Sequence, residues 1–218
     1  MSVKITSPAE GDEIKGNTVE LGVEHTGIEI AKAGEGDPDA TGHFHVFIDK
    51  DPVAPGEAIE KAEGIVHSTD NPIVIAGLDP GEHRLVVVLG DTNHVRIGES
   101  ESEVRVKLTG PSVQATAPAQ ITAGKDFTIT LETTGLEVVK APAGEQGKAG
   151  HFHVLIDLGF PEYAKAVGTG DQIIHTTEKT ITIKGLAAGD HKILIVVGDG
   201  GHVPFRPLVA DLLTIKVV

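Results

Sequence analysis

An eight-residue motif with two histidines occurs twice in the chain, at Gly42–Asp49 and Gly150–Asp157. The first copy reads Gly42-His43-Phe44-His45-Val46-Phe47-Ile48-Asp49. A β-strand directs alternate side chains to the same face, so His43 and His45 stand side by side, while Phe44 and Val46 face the opposite, apolar side. Two adjacent imidazoles are suitable ligands for a shared metal ion. The motif therefore predicts one wall of a metal site. The equivalent pair in the second copy is His151 and His153.

The motif belongs to an internal repeat that defines the architecture. Positions separated by 108 residues align without a gap from Thr26/Thr134 to Val95/Val203, with 28 identities in 70 pairs, or 40%. Thr109-Gly110-Pro111-Ser112 separates the two copies, and each contains about seven short strand patterns with regular turn signals. The sequence predicts an all-β chain of two tandem immunoglobulin-like β-sandwich domains, residues 1–109 and 110–218. Another small β-barrel or sandwich topology is the alternative.

Ten of the 11 histidines form pairs across the repeat. The pairs are His43/His151, His45/His153, His67/His175, His83/His191 and His94/His202. All five pairs are kept although the copies are only 40% identical, which indicates a constraint on these positions. The unpaired His25 is predicted to lie at the surface.

Immunoglobulin-like topology indicates which histidines converge. The third strand starts at the end of the sandwich where the sixth strand finishes, and the two strands pair antiparallel. His94, just after the sixth strand, should therefore approach His43 and His45, under a roof formed by the long loop Gly27–Thr41. His67 could reach the same end as a ligand or could cap a turn. The candidate metal ligands are His43, His45, His94 and His67, and His151, His153, His202 and His175.

The remaining candidates are assigned structural roles. His83 and His191 lie in turns at the opposite end of the sandwich, where we expect them to act as corner residues. Asp49 and Asp157 are expected to accept hydrogen bonds in turns. For Asp91 and Asp199 two roles are open, orientation of an imidazole or formation of an Asx turn, and the turn is favoured.

Composition limits the metal and the partners. The chain has no cysteine, and Met1 is its single methionine, so the expected ion is Cu²⁺ or Zn²⁺ rather than Cu⁺. The net charge is −14 without a basic patch, which argues against a nucleic-acid partner. No apolar run is long enough for a membrane span. Metal affinity should fall as the pH drops through the ordinary imidazole pKa of about 6.5.

The histidine motif and the segment Pro80-Gly81-Glu82-His83-Arg84-Leu85 through Gly90-Asp91-Thr92-Asn93-His94-Val95 resemble the bacterial domain of unknown function 4399 family. That family shows an "HHHLLID"-type strand and a "PGxHTLxLxLGDxNHxPH"-type segment, and the similarity covers about residues 42–95 and 150–203. Phe44 and Phe152 replace the middle histidine of the family, and the final "PH" is absent. The resemblance implies a bacterial protein outside the cytoplasm, but no activity.

Three functions remain open at the level of sequence. The first is a metal-binding protein with one histidine site per domain. The second is a metalloenzyme with a three-histidine zinc or copper centre and an open coordination position, although no general base or nucleophile motif is present. The third is a metal-free interaction or scaffold module. The N-terminal Met1-Ser2-Val3-Lys4-Ile5 lacks the apolar run of a signal peptide, so we expect either a periplasmic or secreted protein whose signal has been removed, or a cytoplasmic one.

Overall fold

The fold was determined as a computed structural model that describes residues 1–162 and 164–218. The chain divides into two compact units. The first comprises Met1–Glu13, Val19–Ile75 and Gly81–Lys107, and the second comprises Ile14–Thr18, Ala76–Pro80 and Leu108–Val218. Two short segments of the first repeat, and residues 108 and 109, group with the second unit. The domain bounds 1–109 and 110–218 stay a prediction.

The first repeat forms nine strands in two sheets. The strands are β1 (Ser2–Ser7), β2 (Glu13–Lys15), β3 (Val19–Thr26), β4 (Glu29–Ile30), β5 (Thr41–Ile48), β6 (Ile65–Ser68), β7 (Ile73–Ile75), β8 (Gly81–Asp91) and β9 (Arg96–Thr109). One sheet has the order β1-β3-β7, and the other has the order β2-β9-β8-β5-β4, with β6 also paired to β5. The sheet formed by β1, β3 and β7 packs opposite the sheet that contains β5 and β8, which is an immunoglobulin-like arrangement.

The second repeat builds the same arrangement from eight strands. They are β10 (Ser112–Thr116), β11 (Phe127–Thr134), β12 (Glu137–Val138), β13 (Ala149–Ile156), β14 (Ile173–Thr176), β15 (Thr180–Ile183), β16 (Gly189–Gly198) and β17 (Ala210–Val217). The sheets have the orders β10-β11-β15 and β12-β13-β16-β17, with β14 paired to β13. The prediction of two tandem immunoglobulin-like sandwiches is confirmed. Among the described residues, no helix has the length and hydropathy to cross a membrane.

The histidine strand β5 is central in its sheet and buried on both faces. Phe44 and Val46 face the interior of the sandwich, as alternation predicts, and are at most 1% exposed. The opposite face is covered as well: Phe47 packs in an apolar cluster that includes Ile59, from the segment between β5 and β6. The imidazoles that share this face with Phe47 are therefore withdrawn from water rather than displayed on a sheet surface. This environment decides their chemistry.

Candidate metal centre

Strand pairing brings three of the candidate histidines together in each unit. β5 pairs antiparallel with β8, so that His43 lies opposite Gly90 at the end of β8, as the topology predicts. β6 pairs antiparallel with the other edge of β5, with His67 directly opposite His45. His67 is therefore a cross-strand neighbour of His45 within the sheet. In the second unit His151 lies opposite Gly198, and His153 lies opposite His175.

A tight loop supplies the fourth histidine. His202 has φ of +63°, a left-handed conformation that non-glycine residues adopt rarely and mostly at constrained sites. The Asp199 carboxylate holds the loop, because its Oδ1 accepts hydrogen bonds from the backbone N–H groups of Gly201 and Val203 at 2.8 and 3.0 Å. Oδ2 of Asp199 accepts a 3.2 Å bond from the Gln146 amide. Asp199 is thus a turn former, as predicted.

The first unit repeats this loop. His94 also has φ of +63°. Oδ1 of Asp91 accepts 2.8 Å hydrogen bonds from the backbone N–H groups of Asn93 and Val95. The predicted turn role of Asp91 is confirmed. Each aspartate thus fixes the backbone that presents a histidine to its cluster, and the candidate ligand groups found among the described residues consist of histidines.

The imidazoles in each unit form one compact cluster. One potential ligand nitrogen from each of the four rings lies within 4.8 Å of the others. In the first unit the ring centroids of His43 and His45 are 4.4 Å apart, as are those of His45 and His67. His94 closes the group, with centroid distances of 4.9 Å to His43 and to His67. The first cluster is His43, His45, His67 and His94, and the second is His151, His153, His175 and His202. All eight candidate ligands predicted from the sequence are therefore brought together, four to a unit.

Three ring nitrogens of the second cluster approach one nitrogen of His202, at separations that could accommodate a metal ion. Nδ1 of His202 lies 3.0 Å from Nε2 of His151, 3.2 Å from Nε2 of His153 and 3.0 Å from Nδ1 of His175. One imidazole nitrogen carries either one proton or one lone pair, so it cannot form three hydrogen bonds at once. Nitrogen ligands about 2.0–2.1 Å from a tetrahedral ion lie about 3.3 Å from each other. The contacts are close to this separation.

A hydrogen bond fixes the tautomer of one candidate ligand, His175. Nε2 of His175 lies 2.9 Å from the carbonyl oxygen of Gly168 and donates to it, since a carbonyl can only accept. Nδ1 of His175 is then unprotonated in the neutral ring, with its lone pair directed to the other three rings. Outer hydrogen bonds of this kind orient metal-binding histidines. The Glu60 carbonyl occupies the equivalent place in the first repeat and acts to raise the pKa of His67, although Nε2 of His67 lacks a hydrogen bond of full geometry.

Burial keeps the inner imidazoles neutral. His45 and His153 are 0% exposed, and His43 and His151 are 3% exposed. Desolvation, reinforced by the neighbouring histidines, lowers the pKa of His43 to about 4 and that of His45 to about 2. The same causes lower the pKa of His153 to about 3. Neutral imidazoles have a free lone pair, which is the form in which an imidazole can bind a cation. The fall of metal affinity near pH 6.5 stays a prediction, and for these inner rings the lowered pKa moves the expected competition by protons to lower pH.

Two glycines make room for the innermost rings, and the sequence interpretation missed them. A Cβ atom at Gly198 would lie 2.6 Å from Cε1 of His153, closer than such atoms approach in proteins, and a Cβ at Gly90 would overlap the ring of His45 in the same way. Neither glycine has a positive φ, so the requirement is for space and not for backbone freedom. The available signal was the retention of both glycines at the 108-residue offset.

We expect Gly198→Ala to remove metal binding from the second unit alone. The new methyl group must displace His153, while the backbone conformation tolerates alanine, so the fold should persist. Elemental analysis of the metal-loaded variant should give about half the wild-type metal content. Gly159→Ala is the matched control, because a Cβ at Gly159 would meet nothing within 4 Å. An unchanged metal content in Gly198→Ala would contradict the assigned role.

The other histidines lie outside the clusters. Nδ1 of His83 is 2.7 Å from Oδ2 of Asp49, and Nδ1 of His191 is 2.7 Å from Oδ2 of Asp157. These pairs are the predicted corner residues and turn acceptors. The prediction that His25 lies at the surface is wrong. His25 is partly buried, and its ring packs edge-on against Phe44 at a centroid distance of 5.5 Å.

The fold and the two clusters define a class: a tandem, all-β sandwich protein with one four-histidine cluster per repeat that could hold a metal ion. The chain belongs to the family described as Domain of unknown function (DUF4399), which matches residues 19–109 and 129–218. The two matches confirm the tandem repeat and the resemblance drawn from the motifs. No curated protein matches the chain significantly.

Three solved structures share a general likeness with nearly the whole chain. The fibronectin(III)-like modules of CbhA from Clostridium thermocellum are 18% identical, with 99% of this chain and 93% of that chain covered and a TM-score of 0.31. A membrane-anchored protein from Corynebacterium diphtheriae is 13% identical, with coverages of 99% and 53% and a TM-score of 0.32. A tetra-tandem repeat of a large adhesion protein is 8% identical, with coverages of 99% and 49% and a TM-score of 0.27. At these values the likeness carries no argument about function.

Proposed function

We propose that the protein binds two divalent transition-metal ions, Cu²⁺ or Zn²⁺, one in each four-histidine cluster. The observation that carries the proposal is the convergence of three ring nitrogens on Nδ1 of His202 at 3.0–3.2 Å. Unprotonated imidazole is a good ligand for both ions. The unpaired, buried nitrogens of His43 and His45 support the same role for the first cluster, since buried polar atoms are otherwise nearly always hydrogen-bonded.

The ligand number favours binding over catalysis. Catalytic zinc sites have three protein ligands and an open position, whereas four protein ligands close a tetrahedral site. Each cluster offers four imidazoles. We therefore propose a protein that holds metal, in the periplasm or outside the cell as the resemblance implies, rather than a hydrolase or an oxidoreductase.

Metal stoichiometry tests the proposal. After loading with Cu²⁺ or Zn²⁺ and desalting, elemental analysis should give about two equivalents of metal per chain. His43→Ala and His151→Ala should each remove about one equivalent, and the double variant should remove both. His83→Ala is the matched control, because His83 lies outside the clusters, and it should retain both equivalents. Less than about 0.2 equivalents of both metals in the wild-type protein would refute the proposal.

A further inference from the structure

A cavity lies beside the second cluster. It has a volume of about 340 Å³, and three of the four imidazoles line it, those of His151, His175 and His202. Thr176 and Thr177 form part of its wall, and Lys140 lies on it as well. The fourth ring, that of His153, is fully buried behind them. A small molecule in this cavity would therefore meet the edge of the cluster.

The metal-loaded cluster needs negative charge. Four neutral imidazoles leave the charge of a divalent ion uncompensated, and partly buried charge is unfavourable unless it is paired. No carboxylate belongs to the ligand group. Asp199 supplies one nearby negative charge, which acts to raise the pKa of His151, and one positive charge of a divalent ion would remain uncompensated. A further anion is thus favoured close to the ion.

The wall of the cavity supplies a cation and hydroxyl groups for such an anion. Nζ of Lys140 forms no hydrogen bond or ion pair with any other residue that the structure describes. The side chains of Thr176 and Thr177 add hydroxyl donors. Glu178 also lines the cavity; its charge repels every anion, and it repels multiply charged anions most strongly. These groups select a small, singly charged oxyanion.

We propose that the second unit, when loaded with metal, binds a small monocarboxylate or a comparable oxyanion in this cavity, between the metal ion and Lys140. The inference rests on the proposed function, because the metal supplies most of the attraction. With four imidazoles as ligands a tetrahedral ion has no free position, but tetragonal Cu²⁺ could take a further oxygen donor beside four nitrogen ligands, so an anion in the cavity could reach Cu²⁺ without displacing an imidazole.

Acetate titration of the Cu²⁺-loaded protein tests the proposal. The first site is removed by His43→Ala with His45→Ala, and the wild-type protein is titrated in parallel in case the variant does not fold. At constant pH and ionic strength, acetate should change the visible and EPR spectra of Cu²⁺ with a dissociation constant of about 1–10 mM. Lys140→Gln should raise this constant about fivefold with no change in copper content. Lys192→Gln, an exposed lysine at the opposite end of the sandwich, should leave it unchanged.

The outcomes separate the two proposals. A protein that holds copper in the second unit but shows no saturable spectral change with acetate overturns the anion site and leaves metal binding intact. An equal dissociation constant in Lys140→Gln and the parent overturns the assigned role of Lys140 and with it the proposed position of the anion. A protein that retains no copper in the second unit overturns the proposed function there, and the anion site with it.

Discussion

The substitution His45→Leu is expected to stabilise the metal-free protein and to abolish metal binding in the first unit. His45 is 0% exposed, and both of its ring nitrogens lack a hydrogen-bond partner among the described residues. A buried polar group without a partner costs about 1–3 kcal/mol, and leucine has a similar volume without polar atoms. The free energy of unfolding, measured by urea denaturation in the presence of a chelator, should rise by about 1–3 kcal/mol. Bound metal should fall from two equivalents to one.

The same change at a hydrogen-bonded histidine is the control. His83→Leu removes the 2.7 Å bond to Asp49, so it should lower the free energy of unfolding by about 1 kcal/mol and leave both metal equivalents in place. A destabilised His45→Leu variant would show that the imidazole supports the metal-free fold, and would contradict the view that it is retained for a ligand. A gain in stability with loss of function is typical of functional sites.

Acidification is expected to destabilise the metal-free protein between about pH 6.5 and pH 4. In the unfolded chain these imidazoles take up protons below their ordinary pKa of about 6.5. In the folded chain burial holds the pKa of His43 at about 4 and that of His153 at about 3, and His45 lies lower still. The unfolded state thus binds more protons throughout this range, so stability is complete above pH 6.5 and is lost as the pH falls.

Thermal unfolding at a series of pH values measures this effect. Each buried imidazole contributes a slope of up to about 1.4 kcal/mol per pH unit, so the double variant His45→Leu with His153→Leu should have a flatter profile than the wild type. At neutral pH, a free metal concentration far above the dissociation constant should raise the midpoint by about 10 °C or more, and a chelator should reverse the rise. Parallel profiles for the wild type and the double variant would refute the assignment of the pH effect to these rings.

In the metal-free protein, each histidine cluster is expected to lower the free energy of unfolding. The cluster keeps four imidazoles close together and neutral, and the inner pair has little access to water. A bound cation would satisfy the lone pairs that the protein leaves unpaired, so binding free energy would add directly to folding free energy. Because metal binding and folding are coupled in this way, an increase in stability on addition of metal would report binding in either unit.

Sequence reasoning located the site because its signals are local or repeated. The alternation of β5 put His43 and His45 on one face, and the 108-residue repeat distinguished the five paired histidines from His25. The topology rule for the third and sixth strands then placed His94 beside the pair. The turn positions of His83 and Asp49 likewise predicted their separation from the site, which their mutual hydrogen bond confirms.

Features that depend on contacts between distant segments were not predictable. The role of His67 was open because only the register of β6 against β5 sets it opposite His45. The need for glycine at positions 90 and 198 could not be predicted, because it arises only when an imidazole of the neighbouring strand lies over the glycine. His25 was misplaced because its burial depends on the packing of Phe44 from another strand.

The sequence by itself determined the repeat, the β-sandwich class, the absence of thiolate ligands and the pool of histidines from which a site could form. Only the tertiary structure decided that four rings in each unit form one cluster, that the inner rings are buried, and that a cavity adjoins the second cluster. The physical reason is that residue type and spacing fix the face of a strand, whereas nitrogen separations and desolvation follow from strand register and from loops that close over the sheet.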